Sequence, residues 1–252
     1  MPSEATLLTP VPLGAGVLAG YTTRAGGVSE GGWASLNLGA HVGDRPEAVQ
    51  ENRARVARAL GGQPLYLDQV HGAEVVQAAG GGESADAQWC TAAGPWLAIL
   101  VADCLPVLWV ARDAQGRARA VAASHAGWRG LAAGVLENTA RALRQAVPAC
   151  QLQAWLGPCI GPEAFEVGEP VLRAFGGAPG QERSGFRFQA GADGSPRWRA
   201  DLQALATERL TALGVQALQA EPRCTVSDAS RFFSFRRDGA VSGRFGAFIR
   251  LT

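Results

Sequence analysis

Little in this chain ties it to a charged or lipid partner. Its 23 Lys and Arg residues against 22 Asp and Glu leave a net charge of +1. No basic stretch marks a nucleic-acid or membrane surface, so neither partner is expected. No apolar run reaches the roughly 18 residues of a membrane span. The start, Met1-Pro2-Ser3-Glu4-Ala5, lacks the basic region of a secretory signal, which makes the cytoplasm the expected location. The five cysteines, at positions 90, 104, 150, 159 and 224, are an odd number without close spacing. That argues against a disulfide framework and for reduced thiols. Histidine is scarcer still, with three in the whole chain.

What is present is enough for a substantial core. With 252 residues, 47% of them hydrophobic, the chain can bury one large domain or two small ones. The glycine-rich stretches at 80–82 and 176–180 read as loops, and no linker or repeat divides the sequence, so one domain over 1–252 is expected. A helix is expected over Pro46 to Leu60, with proline near its start and Gly61 at its stop. Short apolar runs at Leu65 to Val70, Leu97 to Ala102, Val107 to Ala111 and Ala118 to Ala123 have strand length and composition. A longer helix is expected from about Trp128 to Ala146. After it come a strand at Leu152 to Leu156, a helix at Asp201 to Leu213 and a closing strand at Phe245 to Leu251. Helices and strands interleave without a regular βαβ rhythm. The expected class is therefore mixed α/β (α+β): packed mixed sheets flanked by helices, not a doubly wound sheet.

Two of the three histidines sit in company that suggests chemistry. His71 lies in Asp-Gln-Val-His-Gly, His125 in Ser-His-Ala-Gly-Trp-Arg-Gly, and Cys104 in Ala-Asp-Cys-Leu-Pro. Each follows a short apolar run, so strand ends could bring all three to one pocket. Two imidazoles and a thiolate suit zinc with an open fourth position. The same groups also suit a Cys/His nucleophile pair with a spare histidine. Asp103, beside Cys104, is a candidate general base, or else a turn aspartate. Arg129, four residues after His125, opens a helix and is a candidate anion site, with Arg24 and the Arg236-Arg237 pair as further donors. Glu166 reads as a helix-start carboxylate or a site acid. His41 has no thiol near it in sequence and reads as structural or as a support to the site's ligands.

Seven ordered segments closely resemble the bacterial laccase-domain family. They are Thr22-Thr23-Arg24 with Gly26-Gly27-Val28-Ser29, Asn37-Leu38-Gly39 with His41-Val42-Gly43-Asp44, Gln69-Val70-His71-Gly72, Ala102-Asp103-Cys104-Leu105-Pro106, His125-Ala126-Gly127-Trp128-Arg129-Gly130, Gly157-Pro158 with Ile160-Gly161-Pro162, and Phe232 to Gly239. That family has long been labelled polyphenol oxidase and is associated with purine nucleoside phosphorylase chemistry. The resemblance implies a cytoplasmic enzyme of mixed α/β fold with zinc on His71, Cys104 and His125. It implies phosphorolysis of adenosine, inosine, guanosine and methylthioadenosine with phosphate as co-substrate, and deamination of adenosine. Some members are credited with editing peptidoglycan precursors.

On this reading Cys104, His125 and Asp103 form the catalytic group, with Asp103 moving the proton. Arg129, Arg24, Arg236, Glu166 and Gln69 would bind substrate, Arg129 being the first choice for phosphate. The chain departs from the family in Glu163-Ala164-Phe165, where cysteines and a tyrosine are usual, and in Phe235, where tyrosine is usual. The laccase label itself conflicts with the histidine count, since a His₂Cys copper plus a trinuclear cluster needs many more imidazoles. Copper(II) outcompetes zinc at most nitrogen/sulfur sites, so any oxidase activity is read as adventitious copper loading. Two rivals stand beside the phosphorylase: a Cys/His hydrolase that edits peptidoglycan precursors, and a non-catalytic nucleotide- or muropeptide-binding module. The sequence leaves the oligomeric state open.

Overall fold

A computed structural model describes residues 7–215 and 217–252. The segment Met1 to Ala5, read above for its missing signal, lies outside them. Among the described residues no helix is long and apolar enough to cross a membrane.

Two mixed sheets stack face to face between helices. The first runs β1 (Leu8–Pro10), β2 (Val17–Thr22), β14 (Phe245–Leu251), β6 (Trp96–Val101) and β3 (Pro64–Leu65). The second runs β13 (Ala217–Ala220), β9 (Gln151–Leu156), β7 (Leu105–Arg112), β8 (Ala118–Ala126), β5 (Ala87–Cys90) and β4 (Val75–Gln77). A small antiparallel sheet joins β10 (Glu166–Val167), β12 (Trp198–Ala200) and β11 (Phe186–Phe188). The helices are α1 (Pro46–Leu60), α2 (Trp128–Ala133), α3 (Val135–Ala146), α4 (Glu169–Ala174), α5 (Leu202–Ala212) and α6 (Phe235–Asp238).

The layering follows from side-chain alternation along the central strands. From β6, Leu97, Ile99 and Val101 point inward to meet Leu108, Val110 and Val121 of the second sheet. Trp96, Ala98 and Leu100 point outward to Val56 and Leu60 of α1. On β7, Val107 and Trp109 face the other way, onto Leu136 and Leu143 of α3 and Leu205 and Leu210 of α5. Strands covered on both faces are apolar throughout, and for that reason they read as continuous runs in the sequence.

Three expectations change. The run at Leu65 to Val70 pairs as a strand only at Pro64–Leu65. Beyond it, the Gln69 side chain takes the ladder's place, donating from Nε2 to the Leu100 carbonyl at 2.8 Å and accepting from the Leu100 amide at 2.8 Å. The helix expected over 128–146 breaks at Gly134, which sits at φ 96°, capping α2 and opening α3. Glu166 lies in β10, and the following helix starts at Glu169.

The break at Gly134 demands a left-handed residue, which costs a side-chain-bearing one about 1–2 kcal/mol. Gly134→Ala should therefore lower unfolding stability in urea by about 1 kcal/mol. An unchanged midpoint contradicts this reading of the break.

Candidate metal centre

The peptide Ala102-Asp103-Cys104 carries the chain from β6 in the first sheet to β7 in the second. This abrupt crossing puts Asp103 at φ 88°, and it leaves Cys104 half-buried at the seam between the sheets. The antiparallel register pairs Pro106 with His125, so the last turn of β8 sets His125 next to the thiol. His71 arrives from the loop between β3 and β4 at φ 61°, also left-handed. Ordinary residues rarely adopt such angles, and they persist where surrounding contacts over-determine them. One ligand atom from each of His71, Cys104 and His125 lies within 4.8 Å of the others.

The over-determining group is Asp86, which is fully buried. Its Oδ1 is 2.7 Å from His125 Nδ1 and accepts the His71 amide at 2.9 Å, and its Oδ2 accepts the Gly72 amide at 2.6 Å. The Asp86 carbonyl accepts the His125 amide at 2.7 Å. Burial alone would raise this carboxyl's pKa. The donors from His125, Gly72 and His71 outweigh that and hold it below the usual range. With Asp86 on Nδ1, the His125 ring is left with Nε2 as its ligand atom, the usual carboxylate–histidine support of a metal site.

Without a metal, the thiol and the imidazole form an ion pair. Burial opposes charge on both, yet His125 and His71 draw the Cys104 pKa down to about 6. Against the same burial, Cys104 and Asp86 push His125 up to about 9. Gly127 completes the cradle: a Cβ there would lie 2.9 Å from Cys104 Sγ and 3.3 Å from His71 Cδ2. The donor set, its carboxylate support and this cleared space fit a single borderline-soft ion such as zinc.

The trio lies in a cavity of about 420 Å³, within the range of small-molecule sites. Its walls carry the aromatic groups Trp128, Phe165 and Phe235 and the guanidinium groups Arg129, Arg236 and Arg244. Gln69, spent on Leu100, also lines it. Arg129 is exposed and lies 4.6 Å over the Trp128 ring. Arg236 donates from Nη1 to the carbonyls of Ala164 and Glu166.

Asp103 lines the same cavity, but its carboxylate is committed to partners outside the trio. Its oxygens accept from the Thr225 hydroxyl at 2.6 Å, the Ser234 hydroxyl at 3.0 Å and the Arg236 amide at 2.7 Å. Arg24 and Glu166 do not line the cavity. The Arg24 guanidinium donates to the Ala34 and Ala229 carbonyls. The Glu166 carboxylate pairs with Arg199 at 3.4 Å. Two residues that line or brace the site escaped the sequence reading, Asp86 and Arg244, while His41, read as structural or as support to the site, lines the cavity. For His41 and Arg244, the signal available was their place inside or beside the matched segments.

Compared with known proteins, residues 18–252 match the family described as multi-copper polyphenol oxidoreductase laccase. The chain is 48% identical over 246 residues to a Pseudomonas aeruginosa protein named purine nucleoside phosphorylase, spanning 97% of this chain and 98% of that one. It is 43% identical over 241 residues to purine nucleoside phosphorylase YfiH of Escherichia coli, spanning 94% of each. Among solved structures, a Neisseria meningitidis protein superposes with a TM-score of 0.86 at 44% identity, over 97% of this chain and 99% of that one. YlmD from Geobacillus stearothermophilus superposes with a TM-score of 0.85 at 31% identity, over 96% and 94%.

Two outcomes follow for the centre. Gly127 has φ −62°, so Gly127→Ala leaves the backbone at ease and fills only the cradle. Zinc affinity, measured by competition with a chromophoric chelator, should fall at least about tenfold with the melting temperature little changed. In metal-free protein, iodoacetamide labelling of Cys104, followed by mass spectrometry, should rise with pH through about 6, because the thiolate is the reactive form. Asp86→Asn withdraws support from the imidazolium and should move that midpoint upward. A wild-type midpoint near 9 would show that the ion pair does not form.

Proposed function

The chain belongs to the family described as multi-copper polyphenol oxidoreductase laccase, and from that premise we propose that it is a zinc-dependent purine nucleoside phosphorylase with an adenosine deaminase side activity. The observation that carries this reading is the convergence of His71, Cys104 and His125 in a cavity walled by aromatic rings and guanidinium groups. Relatives named purine nucleoside phosphorylase, at 48% and 43% identity over nearly the whole chain, support it. Multicopper chemistry is not proposed, because three histidines fall short of the imidazoles that such an array requires.

In phosphorolysis a phosphate oxygen forms a bond to C1′ of the ribose as the bond from C1′ to the purine nitrogen breaks. The products are the free base and ribose 1-phosphate. In deamination, water replaces the C6 amine and ammonia leaves. His71, Cys104 and His125 would hold the zinc, which when bound supplies Lewis acidity that polarises an oxygen and lowers its pKa.

The remaining work falls to the chain itself. Trp128, Phe165 and Phe235 offer ring faces to a purine. The guanidinium groups provide a cationic lining for phosphate. Asp103, whose carboxylate is committed to Thr225, Ser234 and the Arg236 amide, acts as a positioning residue for the Ser234 to Arg236 wall. The proton-moving role expected of it from sequence is not part of the proposal.

A second reading has an observation of its own. Cys104, with its pKa near 6, His125 and Asp86 also have the order of a thiol nucleophile, its base and an orienting acid. That arrangement would serve a hydrolase acting on peptidoglycan precursors.

Chromatography of zinc-loaded protein with adenosine and inosine, each with and without phosphate, separates the readings. The phosphorylase releases free base only when phosphate is present, and Cys104→Ala loses metal and turnover together. Full phosphorolysis by metal-free protein contradicts the zinc proposal. Absent nucleoside turnover, with chelator-resistant and iodoacetamide-sensitive hydrolysis, establishes the thiol enzyme.

A further inference from the structure

The cavity has several cations, and their surroundings differ enough to separate them. Arg24 stands outside it, held by two carbonyls. Arg236 is exposed, its Nη1 shared between the Ala164 and Glu166 carbonyls and its guanidinium 5.4 Å over Phe165. Arg129 is exposed at the rim, where water screens its charge.

Arg244 is different. It is half-buried, and its Nη1 donates to the Ser242 and Gly243 carbonyls at 2.7 and 3.0 Å. Its Nε and Nη2 find no acceptor among the described residues, and Cys104 and Asp103 act on its charge without a direct bond. A desolvated guanidinium with free donors is costly unless an anion meets it.

Its seat is rigid. The Arg244 amide donates to Asn37 Oδ1 at 2.8 Å, and the Arg244 carbonyl accepts from the Leu38 amide at 3.0 Å. Asn37 is itself fully buried and donates to Asp44 Oδ2 at 2.9 Å, while its carbonyl accepts from Asn52. This network ties the loop from Asn37 to Asp44 to the start of β14. The same loop carries His41 into the cavity wall, with no side-chain hydrogen bond of its own among the described residues. Burial, and Arg244 next after it, lower the His41 pKa. His41 thus stands, exposed, beside a permanent cation.

We propose that Arg244 and His41, seated on the Asn37 to Asp44 loop, form the phosphate subsite of this cavity. The free edge of Arg244, Nε and Nη2, matches two phosphate oxygens as a fork, and His41 donates to a third. The polar network under the loop is the cost of holding that fork still, and it accounts for a matched segment that the metal trio leaves unexplained. The inference rests on the phosphorylase reading for its substrate but not for its geometry.

The test measures phosphate in two ways. Arg244→Gln and His41→Ala should each raise KM for phosphate in inosine phosphorolysis, about 10- to 100-fold for the arginine, with KM for inosine within about twofold. Arg244→Lys keeps charge without the fork and should fall between wild type and Arg244→Gln. His41 anchors nothing in the fold, so His41→Ala keeps the test open if Arg244→Gln fails to fold. Equal rises in both KM values, or a larger phosphate effect from Arg129→Gln, overturn the assignment. Calorimetry with inorganic phosphate on the full chain supplies the readout free of turnover. Phosphate binding that Arg244→Gln abolishes, in a protein that turns over no nucleoside, leaves the subsite standing and defeats only the phosphorylase reading. Wild-type protein that binds no phosphate defeats the subsite.

Discussion

The structure turns on one buried carboxylate. Asp86 reaches His125 through both its side chain and its carbonyl, and through its side chain it holds the amides of His71 and Gly72. Its position is set by sheet pairing, because Ala87 lies opposite Ser124 in the β5–β8 register. A contact in the second sheet thereby fixes a loop that belongs to neither sheet. Removing one partner of such a buried, multiply bonded charge leaves the others unsatisfied, which is far more costly than the net value of any single bond.

A second constraint meets the first at Cys104. The chain changes sheets within three residues, and Asp103 takes a left-handed angle to do so. Its carboxylate then clamps Thr225, Ser234 and the Arg236 amide, drawing the C-terminal part of the chain over the cavity. Local strain at Asp103 and His71 is therefore offset by hydrogen bonds made far away in sequence. One strained residue, His71, belongs to the trio, and the other, Asp103, directly precedes Cys104.

The parts of this arrangement legible in the sequence were those with local signals. Helix α1 was bounded by Pro46 and Gly61, and the structure keeps both bounds, with Gly61 at φ 67°. The trio was legible because histidine is scarce and its neighbours are small; Gly127 shows why, since any Cβ would enter the ligand space. Asp86 gave no such signal: its partners are 14, 15 and 39 residues away, and only strand pairing joins them. Arg244 is seated by Asn37, 207 residues earlier. The false strand at Leu65 to Val70 had a local cause as well. Gln69 bonds like a strand residue but does so with its side chain, a substitution that apolar patterning cannot register.

The central claim is that His71, Cys104 and His125 are a metal centre and not a resting thiol pair. Zinc K-edge absorption spectroscopy on the purified protein, with metal analysis, tests it most directly. The account predicts one zinc per chain, with one sulfur neighbour at about 2.3 Å and nitrogen or oxygen neighbours at about 2.0–2.1 Å. Zinc without a sulfur neighbour, or an active protein with no stoichiometric metal, would contradict it.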